Sequence, residues 1–474
     1  METVADIMNI EQIKQIFEAQ KMNQYQVANS TVSERKKKLK ALKKAIETTY
    51  RQAIKEALHA DFGKPALEVD MSEIYPVIAE IKHTLSHLSD WMSYQPVDTP
   101  LSLLGASSSI KYEPKGVCLI ISPWNFPLNL TFSPLVSAIA AGNTVILKPS
   151  EFTPHISAVM AQIVEELFDK NEVALMQGGV ETSTMLLELP FNHIFFTGAP
   201  AIGKVVMKAA AKHLTSVTLE LGGKSPTIID ETANIRTTAK RLAFGKFLNS
   251  GQICIAPDYV LIAESKKDIF MAEMKKVLLE LYGENAQKSP DYTRIVNQKH
   301  TERIVSYIQD SVLKGAKVVF GGKSDIKNCY IEPTLVTDVP MDSGLMENEI
   351  FGPVLPVISY KNINEAVEMI QANEKPLALY IYSKNEKNIQ FIINHTRAGG
   401  TCINNNDIHF NNVNLPFGGS NNSGIGKTHG FFGFQAFSEA RAIYRQHISG
   451  ALELLLPPYN GFKQKLIDLT IKYF

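Results

Sequence analysis

Apolar residues recur every three or four positions through much of the first hundred residues, and the spacing predicts helices over 33–50 and 70–91. From Gly116 the pattern changes to short apolar runs alternating with helical stretches. Strands are predicted over 117–121, 144–147, 173–177, 193–196 and 217–221, with helices over 128–141, 153–168 and 202–212 between them. A second alternating block follows Gly223. Its strands fall at 227–229, 259–262, 354–358, 378–382 and 400–403, and its helices at 235–248, 269–282 and 301–313. Fully apolar strands separated by helices imply parallel, doubly wound sheets covered on both faces. Two such blocks in series predict two α/β domains across a cleft, with ligands at the carboxyl ends of the strands.

Composition narrows the classes of function. In 474 residues, 48 Lys and Arg balance 48 Asp and Glu, which leaves no basic surplus for a polyanion, so no nucleic-acid partner is expected. With 45% hydrophobic and 20% charged residues, the chain can bury a large core. The basic run 35–44 reads as a helix face in water. The four cysteines, Cys118, Cys254, Cys329 and Cys402, form no CxxC pair, so neither a disulfide framework nor a metal site is expected. Scattered thiols fit a reducing, cytoplasmic setting. The first residues lack the basic and apolar segments of a secretory signal, and no run of about 18 uncharged apolar residues offers a membrane span. The Asn-x-Ser/Thr triplets at Asn129 and Asn421 then carry no meaning as glycan sites.

Several familiar motifs are broken. Leu221-Gly-Gly-Lys-Ser225 has the tail of a phosphate-binding P-loop, but Thr218 stands where the first glycine is required. Pro416-Phe-Gly-Gly-Ser420 would need glycine at 422 to be a nucleophile elbow, and Asn422 is there. There is no HExxH and no GxGxxG. Gly198-Ala-Pro-Ala-Ile-Gly203, between a strand and a helix, would let a phosphate approach a helix N-terminus.

Three residues carry candidate chemistry. Cys254 ends Asn249-Ser-Gly-Gln-Ile-Cys254, where the chain is expected to re-enter helix, and a thiol near a helix N-terminus has more thiolate. The bland alternative is a buried structural cysteine. Glu220 lies at an apolar strand end before two glycines, where a carboxylate needs an ion-pair partner or carries a raised pKa suited to a general base. Asn125 closes the first buried strand among Pro123, Trp124 and Pro127, where a rigid amide could donate to an oxyanion or simply cap the turn.

Taken in order, these segments resemble the aldehyde dehydrogenase superfamily. The shared motifs begin with Pro123-Trp124-Asn125-Phe126-Pro127, Lys148-Pro149-Ser150-Glu151 and Phe196-Thr197-Gly198 with Gly203. They continue with Leu219-Glu220-Leu221-Gly222-Gly223-Lys224-Ser225-Pro226, Gly251-Gln252-Ile253-Cys254, Glu349-Ile350-Phe351-Gly352-Pro353 and Leu415-Pro416-Phe417-Gly418-Gly419. Cys254-Ile-Ala-Pro-Asp-Tyr259, Lys375-Pro-Leu-Ala-Leu-Tyr380 and the short N-terminus look most like the class 3, dimeric branch. The resemblance implies an aldehyde dehydrogenase-like α/β fold. Residues 1–105 and 118–221 would form a dinucleotide-binding domain, and 222–418 a thiol-bearing catalytic domain. Residues 106–117 and 432–474 would be a β oligomerisation extension and tail, with 107–112 and 440–445 pairing to make a homodimer.

The implied activity is oxidation of a small-molecule aldehyde, medium-chain aliphatic or aromatic, to a carboxylic acid with NAD or NADP as cofactor. Cys254 would be the nucleophile, Asn125 and the Cys254 N–H the oxyanion donors, and Glu220 the base that activates water against a thioester. Among the implied cofactor contacts, Lys148 and Glu151 would meet the adenosine ribose, and Gly198 and Gly203 the pyrophosphate. Glu349 would bond the nicotinamide ribose, with Phe351, Trp124 and Gly222 around the nicotinamide. Two departures stand out: Ala199 replaces the frequent Ser after Phe-Thr-Gly, with loss of a hydroxyl for phosphate, and Ser420 follows Phe-Gly-Gly without a functional reason. Phe244, Phe247 and Leu248 share a helical face before Cys254 and could line an aldehyde tunnel, with His409 and Phe410 as weaker candidates. The tail from 452 to 474 is too short and charged to span a membrane, so a docked or partly ordered segment is expected. The alternatives are an acylating dehydrogenase that passes the thioester to coenzyme A and a non-catalytic binding protein on this fold.

Overall fold

Alternate residues of the apolar strands face opposite helical layers. In Val117–Ile121, Cys118 and Ile120 pack among Leu39, Ile54, Val77 and Leu135, whereas Val117, Leu119 and Ile121 pack among Ile13, Phe17 and Val206. The computed structural model describes residues 10–473. Residues 1–9 and 474, which fall in the expected 1–105 and 432–474 units, lie outside the described residues.

The first sheet has six strands in the order Gly424–Ile425, Ser216–Leu221, His193–Gly198, Val117–Ile121, Thr144–Lys148 and Val173–Leu175. All neighbours are parallel except Gly424–Ile425, which runs antiparallel to Ser216–Leu221. The register sets Ile121 beside both Lys148 and Phe196, and Glu220 beside Thr197, so these residues share the carboxyl end of the sheet.

The second sheet has seven strands in the order Lys317–Phe320, Thr334–Thr337, Val354–Tyr360, Tyr259–Ala263, Pro226–Ile229, Ala378–Tyr382 and Gly400–Ile403. The sequence pattern misses the first two, because an exposed edge strand and a four-residue partner leave too short an apolar run. A third, antiparallel sheet joins Gln95–Val97, Ala106–Pro114 and Ser438–Gln446, with Ser107 opposite Arg445 and Tyr112 opposite Ala440.

Two expectations need correction. Arg35, in the run expected to face water, is buried. Its guanidinium donates to the carbonyls of Ala28 at 2.7 Å and Ala140 at 2.8 Å, at the C-terminal ends of the helices Ile10–Ala28 and Pro127–Ala141. The tail forms a short 3₁₀ turn, Ala451–Leu455, and a helix, Gly461–Tyr473, which has no buried residue and is therefore not docked into the core. Among the described residues no helix is long and apolar enough to cross a membrane.

Candidate active site

Cys254 sits in a turn fixed by an unusual backbone. Asn249, Ser250 and Gly251 have φ of 51°, 52° and 72° in succession. A Cβ on Gly251 would lie 2.4 Å from the carbonyl oxygen of Gly352, so only glycine fits. Gln252 staples the turn: its amide donates to Asn249 O at 2.8 Å and Arg294 O at 3.0 Å, and its oxygen accepts from the Val296 N–H at 3.0 Å. The expected helix N-terminus at Cys254 is absent, because the chain passes from this turn directly into Tyr259–Ala263. The thiol is accordingly not acidified. Burial, and then the negative charges of Glu349 and Glu220, push it well above its ordinary value.

Asn125 is buried in the loop between Val117–Ile121 and Pro127–Ala141. Its side-chain amide donates to Gln252 O at 2.9 Å, which brings it to the Cys254 turn. An amide has two N–H groups, so a second donor remains available. Its backbone carbonyl accepts from Asn249 Nδ2 at 3.0 Å and Lys64 Nζ at 3.1 Å. Glu220 is buried at the end of Ser216–Leu221, and neither carboxylate oxygen has a hydrogen-bond partner. Burial drives its pKa well upward, opposed by the nearby Lys427 ammonium.

Two cavities meet at Cys254. A small one of about 40 Å³, large enough to admit water, is lined by Cys254, Glu220, Thr197, Phe417 and Thr428. A large one of about 880 Å³ is lined by Cys254, Leu130, Phe244, Leu248, Ile253 and Phe410 among others. Phe244 and Leu248 thus border the large cavity, as does Phe410. Phe247 does not: it is 1% exposed and packs among Ala239, Leu242 and Val260 in the core. A helical face is about 100° wide, and the i+3 member turns inward here. His409 lies against Tyr380 and Phe417 with both ring nitrogens buried and unpartnered, and it does not border the cavity.

The remaining candidates fall into two groups. Around Cys254, a Cβ on Gly222 would stand 2.2 Å from Glu349 Oε2, so the glycine leaves space for that carboxylate. Glu349 Oε1 is buried without a partner, and burial raises the group to about 8. Phe351 adopts φ of 46° and meets Trp124 edge to face at 5.3 Å. Farther along the sheet edge, Lys148 is buried, donates to Pro149 O at 2.6 Å and lies 3.7 Å from Glu151 Oε2. Gly198 ends its strand, and the helix Pro200–Ala211 with Gly203 begins after Ala199, which gives the first turn no side-chain cap. A bare helix N-terminus and a Lys–Glu pair at the carboxyl end of the first sheet, with the buried Glu349 whose Oε1 has no partner, suit a phosphate, a ribose hydroxyl and a second ribose of a dinucleotide.

A sequence model described as the aldehyde dehydrogenase family matches residues 2–443. The chain belongs to the aldehyde dehydrogenase family. It is 45% identical over 441 residues to the 4,4'-diaponeurosporen-aldehyde dehydrogenase of Staphylococcus aureus, covering 93% of this chain and 95% of that one. It is 42% identical over 431 residues to aldehyde dehydrogenase family 3 member A2 of Mus musculus, covering 90% and 88%. A solved Staphylococcus aureus AldH in a substrate-bound state superposes with a TM-score of 0.92 at 44% identity, covering 98% of this chain and 100% of that one. The likeness to the class 3 branch is therefore sustained over nearly the whole chain.

Several groups at this aldehyde dehydrogenase site escaped the motifs. His300 packs on Trp124 at 5.1 Å, and burial lowers it to about 4. Asp407 is raised to about 8 by burial and borders the large cavity, and its Oδ2 lies 2.1 Å from where a Gly245 Cβ would be. Lys246 is fully buried and lowered to about 8, by burial first. Each stands in a segment whose spacing says nothing of what it faces. Only Lys246, between Gly245 and Phe247 in the helix expected over 235–248, carried a signal, a charge beside apolar neighbours.

Proposed function

We propose that the chain oxidises aldehydes, medium-chain aliphatic or aromatic, to carboxylic acids through a covalent adduct on Cys254, with NAD or NADP as hydride acceptor. The observation that carries this reading is the position of Cys254 at the junction of a large, mostly apolar cavity and a small one it shares with Glu220. The aldehyde chain occupies the first, and water reaches the carbonyl carbon through the second.

Cys254 first releases its thiol proton to solvent, and the thiolate sulfur adds to the aldehyde carbon. The resulting alkoxide is held by the second N–H of Asn125 Nδ2, whose first is fixed on Gln252 O, and by the Cys254 N–H. A nicotinamide dinucleotide, when bound, supplies the acceptor for the hydride that leaves this carbon, and the adduct becomes a thioester. Trp124, Phe351 and Gly222 would flank the nicotinamide, Glu349 would take the adjoining ribose, Gly198 and Gly203 would face the pyrophosphate, and Lys148 and Glu151 would take the adenosine ribose. Glu220 then removes a proton from water, the hydroxide attacks the thioester carbon, and the acid leaves as the thiol is regenerated. Splitting the reaction at sulfur replaces one high barrier by two lower ones. The unpartnered carboxylate of Glu220 supports the role of base, since nothing else in the site consumes its acceptor capacity.

A homodimer through the third sheet fits the free edge of Ser438–Gln446, whose side chains are mostly exposed. Steady-state assays with C2 to C16 and aromatic aldehydes, NAD and NADP in parallel, test the reading alongside Cys254→Ala. That variant is expected to bind cofactor normally and to form no reduced nicotinamide. Turnover by Cys254→Ala would refute the covalent route.

A further inference from the structure

We propose that the buried Lys64–Glu73 ion pair is the positioning device for Asn125, gripping the turn that carries its amide from both ends. This rests on the oxyanion role given to Asn125 above.

Lys64 follows Gly63, which ends the helix Arg51–Phe62 in the left-handed conformation with φ of 67°. Glu73 lies on the π-helical turn Asp70–Ile74. Both side chains are 0% exposed, and Nζ and Oε1 are 2.7 Å apart. Each partner then reaches the same loop. Lys64 Nζ donates to Asn125 O at 3.1 Å, and its charge sits over the Phe126 ring at 4.3 Å. Glu73 Oε2 accepts from the Asn129 N–H at 3.0 Å, an otherwise orphan donor in the first turn of Pro127–Ala141.

Residues 125 and 129 are therefore clamped to one rigid pair from the N-terminal helices. The Asn125 carbonyl has two lone pairs, and Lys64 and Asn249 use both. The peptide plane of Asn125 is thereby fixed, and its side-chain amide is left one bond to Gln252 O and one free N–H. A buried ion pair adds little net stability over an apolar pair of the same volume. What this one supplies is direction, since its hydrogen bonds end on the loop rather than on each other alone.

Lys64→Met alone would leave Glu73 charged and unpaired in the core. The main variant is therefore Lys64→Met/Glu73→Gln, which removes both charges and keeps an acceptor for the Asn129 N–H. Lys64→Gln/Glu73→Gln, which likewise leaves no charge unpaired in the core, is the second variant should the first not fold, and the same outcomes decide it. For each, kcat, aldehyde KM, cofactor Kd and thermal unfolding are measured in the wild-type and Asn125→Ala backgrounds. The expected result for the double variant is a fall in kcat of about 10- to 100-fold with cofactor Kd unchanged, as for a misplaced catalytic group. In the Asn125→Ala background no further fall is expected, because the group being positioned is gone. Equal losses in both backgrounds would mean that the pair only supports the fold, and an unchanged kcat in the wild-type background would also overturn the proposal. If Asn125→Ala by itself left kcat intact, the oxyanion role would fail and the proposal with it, a result distinguishable from failure of the pair alone.

Discussion

Glu220 and Cys254 stand 34 residues apart in the chain and line one cavity of about 40 Å³. The two groups belong to different sheets: Glu220 ends a strand of the first, and Cys254 precedes Tyr259–Ala263 of the second. Their charges oppose each other's ionisation, since the Glu220 carboxylate is one of the causes that raise the thiol.

This arrangement makes Glu220→Gln informative. The variant is expected to give a full first-turnover burst of reduced nicotinamide and a steady state slowed by about 10²–10⁴-fold, the usual contribution of a positioned base. Stopped-flow absorbance reads both phases. A missing burst would show that Glu220 acts earlier, on the thiol.

Asn125→Ala removes the side-chain donor without touching the base or the nucleophile. Loss of one oxyanion donor typically costs about 10²–10³-fold in kcat. Here the burst itself should slow, because the charge it stabilises forms before hydride leaves. An unchanged burst rate would rule out the amide.

Phe244 and Phe247 separate cavity lining from core packing on one helix. Phe244 is 49% exposed and borders the large cavity, so Phe244→Ala should change the preference between long and short aldehydes with little loss of stability. Phe247→Ala should lower stability by about 3–5 kcal/mol and leave that preference alone. Ratios of kcat/KM across a chain-length series, with denaturant unfolding of each variant, check the pair.

Buried acids set a pH dependence of stability. Burial raises Glu68 and Glu80 to about 7, and Glu349 and Asp407 to about 8. The native state thus holds protons that the unfolded chain has already released, and stability falls as pH rises toward 8. Below about 6.5 the buried histidines oppose this, because His300, His409 and His429 are lowered to about 4 and stay neutral only in the folded state. Between pH 6.5 and 8.5 these four acids outnumber the one buried ammonium that opposes them in this range, Lys246, lowered to about 8, so the cofactor-free protein should show a lower Tm at pH 8.5 than at pH 6.5. A Tm that rose over that interval would contradict the burial assigned to these carboxyls.

The sequence by itself determined the buried strands of both α/β blocks apart from Lys317–Phe320 and Thr334–Thr337. Val117–Ile121 and Ala378–Tyr382 begin and end where the apolar runs do, because a strand buried on both faces leaves no polar position to blur its limits. It also put forward Cys254, Glu220 and Asn125 as candidates, since rigid turns at strand ends need glycine and proline at fixed places. Tertiary structure alone decided what those groups experience. Cys254 follows a run of left-handed residues rather than opening a helix, and burial, with the carboxylates of Glu349 and Glu220, raises its thiol. Phe247 turns into the core while Phe244 meets the cavity, and Arg35 leaves a basic stripe to bond the ends of two helices. Lys64 and Glu73 look like ordinary surface charges until folding closes them around the Asn125 loop. Local pattern reports how a segment meets its own backbone; pKa, ion pairing and cavity walls depend on atoms brought in from distant positions, and those are set only when the layers pack.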